Sequence, residues 1–219
     1  MNLPALQQLI IRDSPGYTTL SGRLFNNLKF LQIINNPNFN TYSTNNFAAL
    51  TNLDLRSNAL TNFSNQNLLN LVALNLQDNQ VTEFKSNTFS VIEQLSLDNN
   101  RLDTADDLIL SINGNANLRV LTLGTIQCYS ENNQIPTFPA VTLAALEILN
   151  LASNQLTDLA APVAAKLKIL NVGNWAPLFR KQQPLTATPT GLRRSHRSMG
   201  KQQQYIGRRC EQSPRIDQV

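Results

Sequence analysis

Apolar and polar residues follow a pattern, Leu-x-x-Leu-x-Leu-x-x-Asn, that returns eight times along the chain. Successive copies are separated by 22, 22, 21, 21, 26, 28 and 21 residues. The first apolar positions are Leu6, Leu28, Leu50, Leu71, Ile92, Leu118, Leu146 and Leu167. The second are Leu9, Leu31, Leu53, Leu74, Leu95, Leu121, Leu149 and Leu170. The third are Ile11, Ile33, Leu55, Leu76, Leu97, Leu123, Leu151 and Val172. Because all 24 positions hold Leu, Ile or Val, the chain contains an internal repeat.

The spacing within one copy predicts a short β-strand. Side chains alternate along a strand, so the fourth and sixth positions point to one side, and the positions between and beside them point to the other. One copy is too small to enclose a core, so neighbouring copies must stack. The pattern therefore predicts a solenoid of short parallel strands.

The ninth position of the copies is mostly polar and marks the bend that follows each strand. It holds Asn in five copies: Asn36, Asn58, Asn79, Asn100 and Asn154. The other three copies have Ser14, Ile126 and Trp175. A short amide side chain can satisfy backbone groups in the bend and in the adjacent copy. Because Ile126 cannot form such bonds, we expect a local break in the sixth copy.

These motifs resemble the leucine-rich repeat family, of the type with repeats of 21–22 residues and some longer ones, and residues 50–60 (LTNLDLRSNAL) are the most regular example. The resemblance covers about four-fifths of the chain, residues 6–175. It implies an α/β repeat fold, a curved right-handed solenoid with a parallel concave β-sheet and a convex side made mostly of loops and short helices. It also implies that the five Asn residues form a structural ladder.

The fifth and sixth copies are longer than the others. The segment from Thr104 to Asp107, followed by apolar residues and Gly114, predicts a capped helix on the convex side. The sixth copy carries Cys128, Pro136 and Pro139 in a predicted loop. Insertions in repeat proteins fall in loops on one face, so this loop either helps to form a partner surface or is a tolerated insertion.

Charge divides the chain into two parts. Residues 176–219 hold nine Lys/Arg and two Asp/Glu, a net charge of +7, whereas residues 1–175 carry −3. The C-terminal part has no apolar period, so we predict a repeat array over 1–175, with little or no N-terminal cap, and a basic, disordered tail over 176–219. Residues 175–179 (WAPLF) can form a partial cap over the last repeat.

Compartment is not determined by these features. The repeat subclass is common in extracellular and cell-surface proteins, but no signal peptide is visible at the start of the sequence. No uncharged apolar run approaches the roughly 20 residues of a membrane helix. Two cysteines, Cys128 and Cys210, fit either redox setting, and we expect two free thiols rather than a disulfide.

The concave face is the main candidate for partner binding. Its outward positions carry polar hydrogen-bonding groups, a few charges and one aromatic side chain, a composition that suits protein recognition. The candidate residues are Phe30, Gln32, Asp54, Arg56, Asn75, Gln77, Ser96, Asp98, Thr122 and Asn150. The alternative for any one of them is a solvated side chain, and Asp54 and Arg56 could simply neutralise each other.

Other candidate sites have simpler explanations. The acidic residues Asp98, Asp103, Asp106 and Asp107 lack the spacing of a calcium loop, and we expect no metal or other cofactor. The one glycosylation-type sequence, at Asn62, is interpreted as a chance match.

We therefore expect a non-catalytic protein-interaction module that binds a partner protein through the concave face, in receptor-like or host-interaction recognition. The only histidine, His196, lies in the tail and belongs to no catalytic set, so an enzyme is not expected. The alternative is binding of nucleic acid or an anionic surface through the basic tail.

Overall fold

The computed structural model of the chain describes residues 3–20, 25–42, 47–64, 66–85, 87–124, 133–160 and 162–173. The described residues form one α-helix, α1 (Asp106–Ile112), and twelve strands. In chain order the strands are β1 (Gln8–Arg12), β2 (Thr19–Leu20), β3 (Phe30–Ile34), β4 (Thr41–Tyr42), β5 (Asn52–Asp54), β6 (Ala73–Asn75), β7 (Gln94–Ser96), β8 (Val120–Thr122), β9 (Thr137–Phe138), β10 (Ile148–Asn150), β11 (Asp158–Leu159) and β12 (Ile169–Asn171).

Eight of these strands form one sheet, in the order β1-β3-β5-β6-β7-β8-β10-β12. Every neighbouring pair is parallel, and the register joins equivalent repeat positions, as in the row Leu31, Leu53, Leu74 and Leu95. On the return side of the coils, two short parallel pairs form, β2 with β4 and β9 with β11. The predicted solenoid of stacked parallel strands is confirmed. None of the described helical residues forms a segment long and apolar enough to cross a membrane.

The core lies between the sheet and the return segments. In the six central coils all three apolar positions of the repeat are buried, whereas in the first and last coils, for example at Leu9 and Leu170, they are only half-buried. The difference follows from stacking, because a terminal coil has a neighbour on one side only.

A row of stacked aromatic rings runs through the return side of the core. The ring of Phe63 stacks on Tyr42 at a centroid distance of 5.6 Å and on Phe84 at 5.8 Å, and Phe84 stacks on Phe89 at 6.1 Å. Phe63 and Phe84 are about 1% exposed. Tyr42, Phe63 and Phe84 come from successive coils, and their rings lie nearly parallel because the same backbone path repeats, whereas Phe89 lies in the same coil as Phe84.

Buried asparagines tie each coil to the one before it. The Nδ2 of Asn79 donates to the carbonyl of Leu76 in its own coil, at 3.0 Å, and to that of Leu55 in the preceding coil, at 2.8 Å. Its Oδ1 accepts the N–H of Leu60 at 3.1 Å. Asn58, Asn100 and Asn154 form bonds of the same kind. Asn36 joins the first two coils, because its Oδ1 accepts from Ser14 N at 2.9 Å and its Nδ2 donates to the carbonyl of Ile34 at 2.9 Å. These bonds satisfy carbonyl and amide groups that the bend removes from the sheet.

The asparagine row continues through the sixth coil at a residue that the repeat pattern does not mark. Asn133 is 1% exposed, and its Nδ2 donates to the carbonyls of Leu123 and Leu97, both at 2.8 Å. Its Oδ1 accepts the N–H of Leu102 at 2.9 Å. Asn133 therefore makes ladder bonds in a coil where we expected a break. It lies ten residues after Leu123, whereas the other ladder asparagines lie three residues after the equivalent apolar residue. Ile126 itself lies outside the described residues.

The residue before the ladder position bends the chain out of the strand. Six such residues have left-handed backbone angles, with φ between 50° and 58°. They are Asp13, Asn35, Ser57, Asp78, Asn99 and Ser153. Asp and Asn adopt this region more readily than other non-glycine residues because their short polar side chains can bond locally.

The predicted helix in the fifth coil is present. The N–H of Asp106 donates to the Thr104 hydroxyl oxygen at 3.1 Å, and the helix buries Leu108 and Ile112 against the core. It ends before Gly114, whose φ of +77° is the left-handed turn expected of a glycine stop.

Several predictions fall outside the described residues. They concern Cys128, the partial cap at 175–179, and the tail with His196 and Cys210. The domain boundary at residue 175, the curvature of the sheet and the handedness of the coils stay predictions.

Candidate binding face of the eight-stranded sheet

The sheet face that points away from the core, here called the outer sheet face, carries the ten candidate residues. The central position of each strand pairs in register with its neighbours, and the row is Ile10, Gln32, Asp54, Asn75, Ser96, Thr122, Asn150 and Asn171. Phe30 lies two residues before Gln32 on β3. Arg56, Gln77 and Asp98 each follow a central residue by two positions, and strand alternation places them on the same face.

Four side chains of the central row bind the backbone two residues further along. Asp54 Oδ1 accepts the N–H of Arg56 at 3.2 Å, and Asn75 Oδ1 accepts that of Gln77 at 2.9 Å. Asn150 and Asn171 repeat this arrangement with the N–H groups of residues 152 and 173, at 3.1 and 3.3 Å. These short-range bonds hold the strand ends, so part of each polar side chain is already used by the fold.

Two basic residues of the face have partners within it. Arg56 Nε lies 3.6 Å from Asp54 Oδ2. Arg12 donates from its guanidinium to Gln32 Oε1 at 2.7 Å. Both contacts are partly exposed to solvent, so each contributes little to stability, but they fix the direction of the side chains.

Asp98 has a different environment. Its Oδ2 accepts the hydroxyl of Thr122 at 2.7 Å, and its Oδ1 is enclosed by protein atoms without a hydrogen-bond partner. Burial raises the pKa of Asp98 to about 6, against the opposing effect of the hydrogen bond from the Thr122 hydroxyl, while the nearby negative charge of Asp78 adds to the rise. No Lys or Arg among the described residues forms an ion pair with it. Because burial disfavours the charged form, keeping this carboxylate ionised at neutral pH costs free energy of folding.

Apolar side chains are exposed at both ends of the face. At the β1 end, Ile10 and Phe30 are 47% and 45% exposed, and at the β12 end Ile169 is 53% exposed. Ile10 and Phe30 are diagonal neighbours on adjacent strands, a separation within reach of an aromatic side chain. Together they form a small apolar patch, and its exposure to water is unfavourable.

Close backbone approach shapes the face beside Asp98. A Cβ atom on Gly124 would lie 1.7 Å from the carbonyl oxygen of Ala152, so the two coils touch through main-chain atoms here. The Nδ2 of Asn150 also donates to the carbonyl of Gly124 at 2.6 Å. Sequence inspection did not identify either Gly124 or Asn133 as structurally special.

A signal for Asn133 does exist in the sequence. Residues 133–138 (NQIPTF) match residues 79–84 (NQVTEF), with an Asn followed by Gln, a β-branched apolar residue two positions after the Asn and a Phe five positions after it. Aligning the segment that follows each strand, rather than counting from the strand itself, would have found the displaced asparagine.

Among the described residues no three His, Cys, Asp or Glu side chains are grouped to hold a metal ion. Asn62 Nδ2 donates to Glu83 Oε2 at 2.6 Å, and the Ser64 hydroxyl accepts the N–H of Lys85 at 3.1 Å, so both polar residues of that sequon take part in folded contacts on the return side.

Glu147 lies immediately before β10, beside the face, between two cations. Lys168 Nζ is 2.8 Å from its Oε2 and Arg119 Nε is 3.2 Å from its Oε1. Hydrogen bonds from Lys168 and then Arg119 lower the pKa of Glu147. This margin of the sheet therefore carries two positive charges and one negative charge.

Comparison of the chain with protein-family models, with curated proteins and with solved structures gives no significant match.

Proposed function

We propose that the chain is a leucine-rich repeat protein that acts as a non-catalytic interaction module and binds a partner protein through the outer sheet face. The observation that carries this proposal is the set of outward side chains in register on eight parallel strands. No described residue forms a layer of secondary structure over them. An ordered face with apolar side chains at its ends and hydrogen-bonding groups between them resembles the composition of protein interfaces.

Rigidity is the mechanism by which such a face would bind. The buried asparagines join successive coils, and the bonds from the central row to the backbone hold the strand ends. Side chains held in this way lose little conformational entropy when a partner docks, so more of the contact free energy contributes to affinity.

The experiment compares two triple variants in affinity capture with chemical cross-linking. The face variant is Phe30→Ala/Arg56→Ala/Gln77→Ala, and the control variant is Leu110→Ala/Lys85→Ala/Lys166→Ala, which changes exposed side chains elsewhere. Both are first matched to the wild type in thermal stability. We expect a protein that cross-links to the outer sheet face of the wild type and of the control, and is lost with the face variant. Equal capture by both variants would place binding outside this face.

A second candidate function rests on the charge of the tail. Residues 176–219 carry a net charge of +7, which favours nucleic acid or an anionic surface. Deleting residues 180–219 should then abolish binding to such a surface, and the binding of the full chain should weaken steeply with salt. Loss of protein capture on changing the outer sheet face alone favours the first function.

A further inference from the structure

Three β-branched apolar side chains stand side by side at the β12 end of the outer sheet face. Val120, Ile148 and Ile169 occupy the first outward position of β8, β10 and β12 and pair directly in register. Neighbouring strands lie about 4.8 Å apart, so the three side chains touch the same region of solvent. Val120 and Ile148 are half-buried, and Ile169 is 53% exposed. These three residues are here called the apolar strip.

Charged residues immediately precede the three members of the apolar strip. Arg119 and Lys168 both contact Glu147, and their side chains are 55% and 68% exposed, whereas that of Glu147 is 22% exposed. Among the described residues Glu93, which precedes β7 at the next place in this row, forms no ion pair. Lys166 adds another exposed cation two residues before Lys168. The excess positive charge therefore lies at the β12 end, beside the most exposed member of the apolar strip.

We propose that this end of the outer sheet face binds a partner-protein segment that places an apolar side chain on the apolar strip and an adjacent Asp or Glu on Lys168 and Arg119. This inference rests on the proposed function and adds the chemistry of the partner. Charge complementarity selects this occupant, because an acidic segment meets the excess of cations. Residues 176–219 of this chain, with a net charge of +7, would be repelled by it.

One short segment can make both contacts. A strand rises about 3.3 Å per residue, so the charged row lies directly beside the apolar strip. In an extended partner segment, side chains one or two positions apart span a similar distance, so an acid at that spacing reaches Lys168 while the apolar side chain covers Ile169. Asn171 lies beyond Ile169 on the same face, and its Nδ2, which has no acceptor among the described residues, can donate to a carbonyl of the segment.

The two contacts contribute differently to binding. Burial of the apolar strip supplies affinity, because it removes exposed apolar surface from water. Exposed ion pairs supply little affinity, so the acidic side chain mainly selects the partner. Glu147 already occupies the same two cations, at 2.8 and 3.2 Å, and competes with the carboxylate of the partner.

The test is a selection of random twelve-residue peptides against the full chain, followed by affinity measurement on variants. Ile169→Thr removes apolar surface and keeps a β-branched side chain. Val163→Thr is its matched control, because Val163 is 64% exposed and lies outside the strands. Circular dichroism and thermal unfolding establish that the variants fold.

Two charge variants test the acidic contact. Lys168→Gln removes one of the cations, and Glu147→Gln removes the competing carboxylate. Lys85→Gln and Glu83→Gln make the same changes at an exposed ion pair on the return side and are the matched controls.

We expect the selected peptides to be enriched in Asp or Glu one or two positions from a large apolar residue. Their affinity should fall about fivefold with Ile169→Thr and about threefold with Lys168→Gln. It should rise about threefold with Glu147→Gln, because the cations are released, and stay unchanged with the three controls.

Several outcomes would overturn this inference and leave the proposed function in place. They are peptides without acidic enrichment that ignore Lys168→Gln, or peptides that lose affinity with Phe30→Ala but not with Ile169→Thr. A dimer of the full chain that dissociates with Ile169→Thr would place a second copy on the apolar strip instead. Peptides insensitive to every change on the outer sheet face, or no enriched peptides at all, would overturn both proposals.

Discussion

Asn133 Nδ2 donates to the carbonyl oxygen of Leu123 at 2.8 Å across ten residues of chain, the bond that a ladder asparagine elsewhere makes across three. The longer sixth coil therefore leaves the asparagine row and returns to it. The ladder asparagines stay in register because the sixth copy supplies one at residue 133. The additional residues of this copy lie in sequence between Leu123 and Asn133.

The first prediction concerns this asparagine. Asn133→Ala should lower the free energy of unfolding by about 3 kcal/mol, because it leaves two buried carbonyls and one buried N–H without partners. Urea denaturation followed by circular dichroism measures the change. Asn117→Ala, which removes one exposed bond to Ser90 at 3.2 Å, is the control and should cost less than about 1 kcal/mol. Equal losses for the two variants would mean that Asn133 is not part of the ladder.

The second prediction concerns the close approach at Gly124. Gly124→Ala should destabilise the fold by at least about 3 kcal/mol, since the added methyl carbon would meet the carbonyl oxygen of Ala152 at 1.7 Å and backbone must move to relieve it. Gly16→Ala is the control, because no atom lies within 4 Å of its added carbon. The thermal unfolding midpoints of the two variants give the comparison. A Gly124→Ala protein as stable as Gly16→Ala would contradict the contact between these coils.

The third prediction separates inward from outward aromatic rings. Phe84→Ala should lower the free energy of unfolding by about 3–5 kcal/mol, because the ring is fully buried and stacks on two other rings. Phe30→Ala should cost less than about 1 kcal/mol, because nearly half of that side chain is exposed. Chemical denaturation of both variants tests the direction in which each ring points, and a large loss at Phe30 would place it in the core.

The fourth prediction is a pH dependence from Asp98. Its pKa is about 6 in the folded chain and 3.8 as the reference for the unfolded chain, so the folded state binds the proton more tightly. The contribution of this pKa difference to the free energy of unfolding is fully present below about pH 4 and is lost as the pH rises through 6. Two pKa units correspond to about 3 kcal/mol, which is an upper bound for this partly exposed side chain.

The measurement for this prediction is thermal unfolding between pH 4 and 7.5 of the wild type and of Asp98→Asn. The variant should lack this decline and should be the more stable protein at pH 7. Asp78→Asn, which removes the nearby like charge, should move the decline to lower pH. Identical pH profiles for wild type and Asp98→Asn would show that Asp98 does not titrate in this range.

The sequence predicts most of the fold because its information is local and repeated. Leu53, Leu74 and Leu95 occupy the same repeat position, and stacking identical positions is the one arrangement that buries all of them together. The outward row from Ile10 to Asn171 follows from the same alternation. The stop at Gly114 was also recognisable, since glycine tolerates the left-handed turn that ends the helix.

What the sequence by itself determined is therefore the strands, their register, the core and the list of residues that face outwards. Only the tertiary structure decided that Asn133 replaces a missing ladder residue, that Gly124 meets Ala152, and that one oxygen of Asp98 is enclosed without a hydrogen-bond partner. The physical reason is that local periodicity specifies which way a side chain points. Its hydrogen bonds, burial and charge balance depend on atoms in neighbouring coils, which lie more than 20 residues away along the chain.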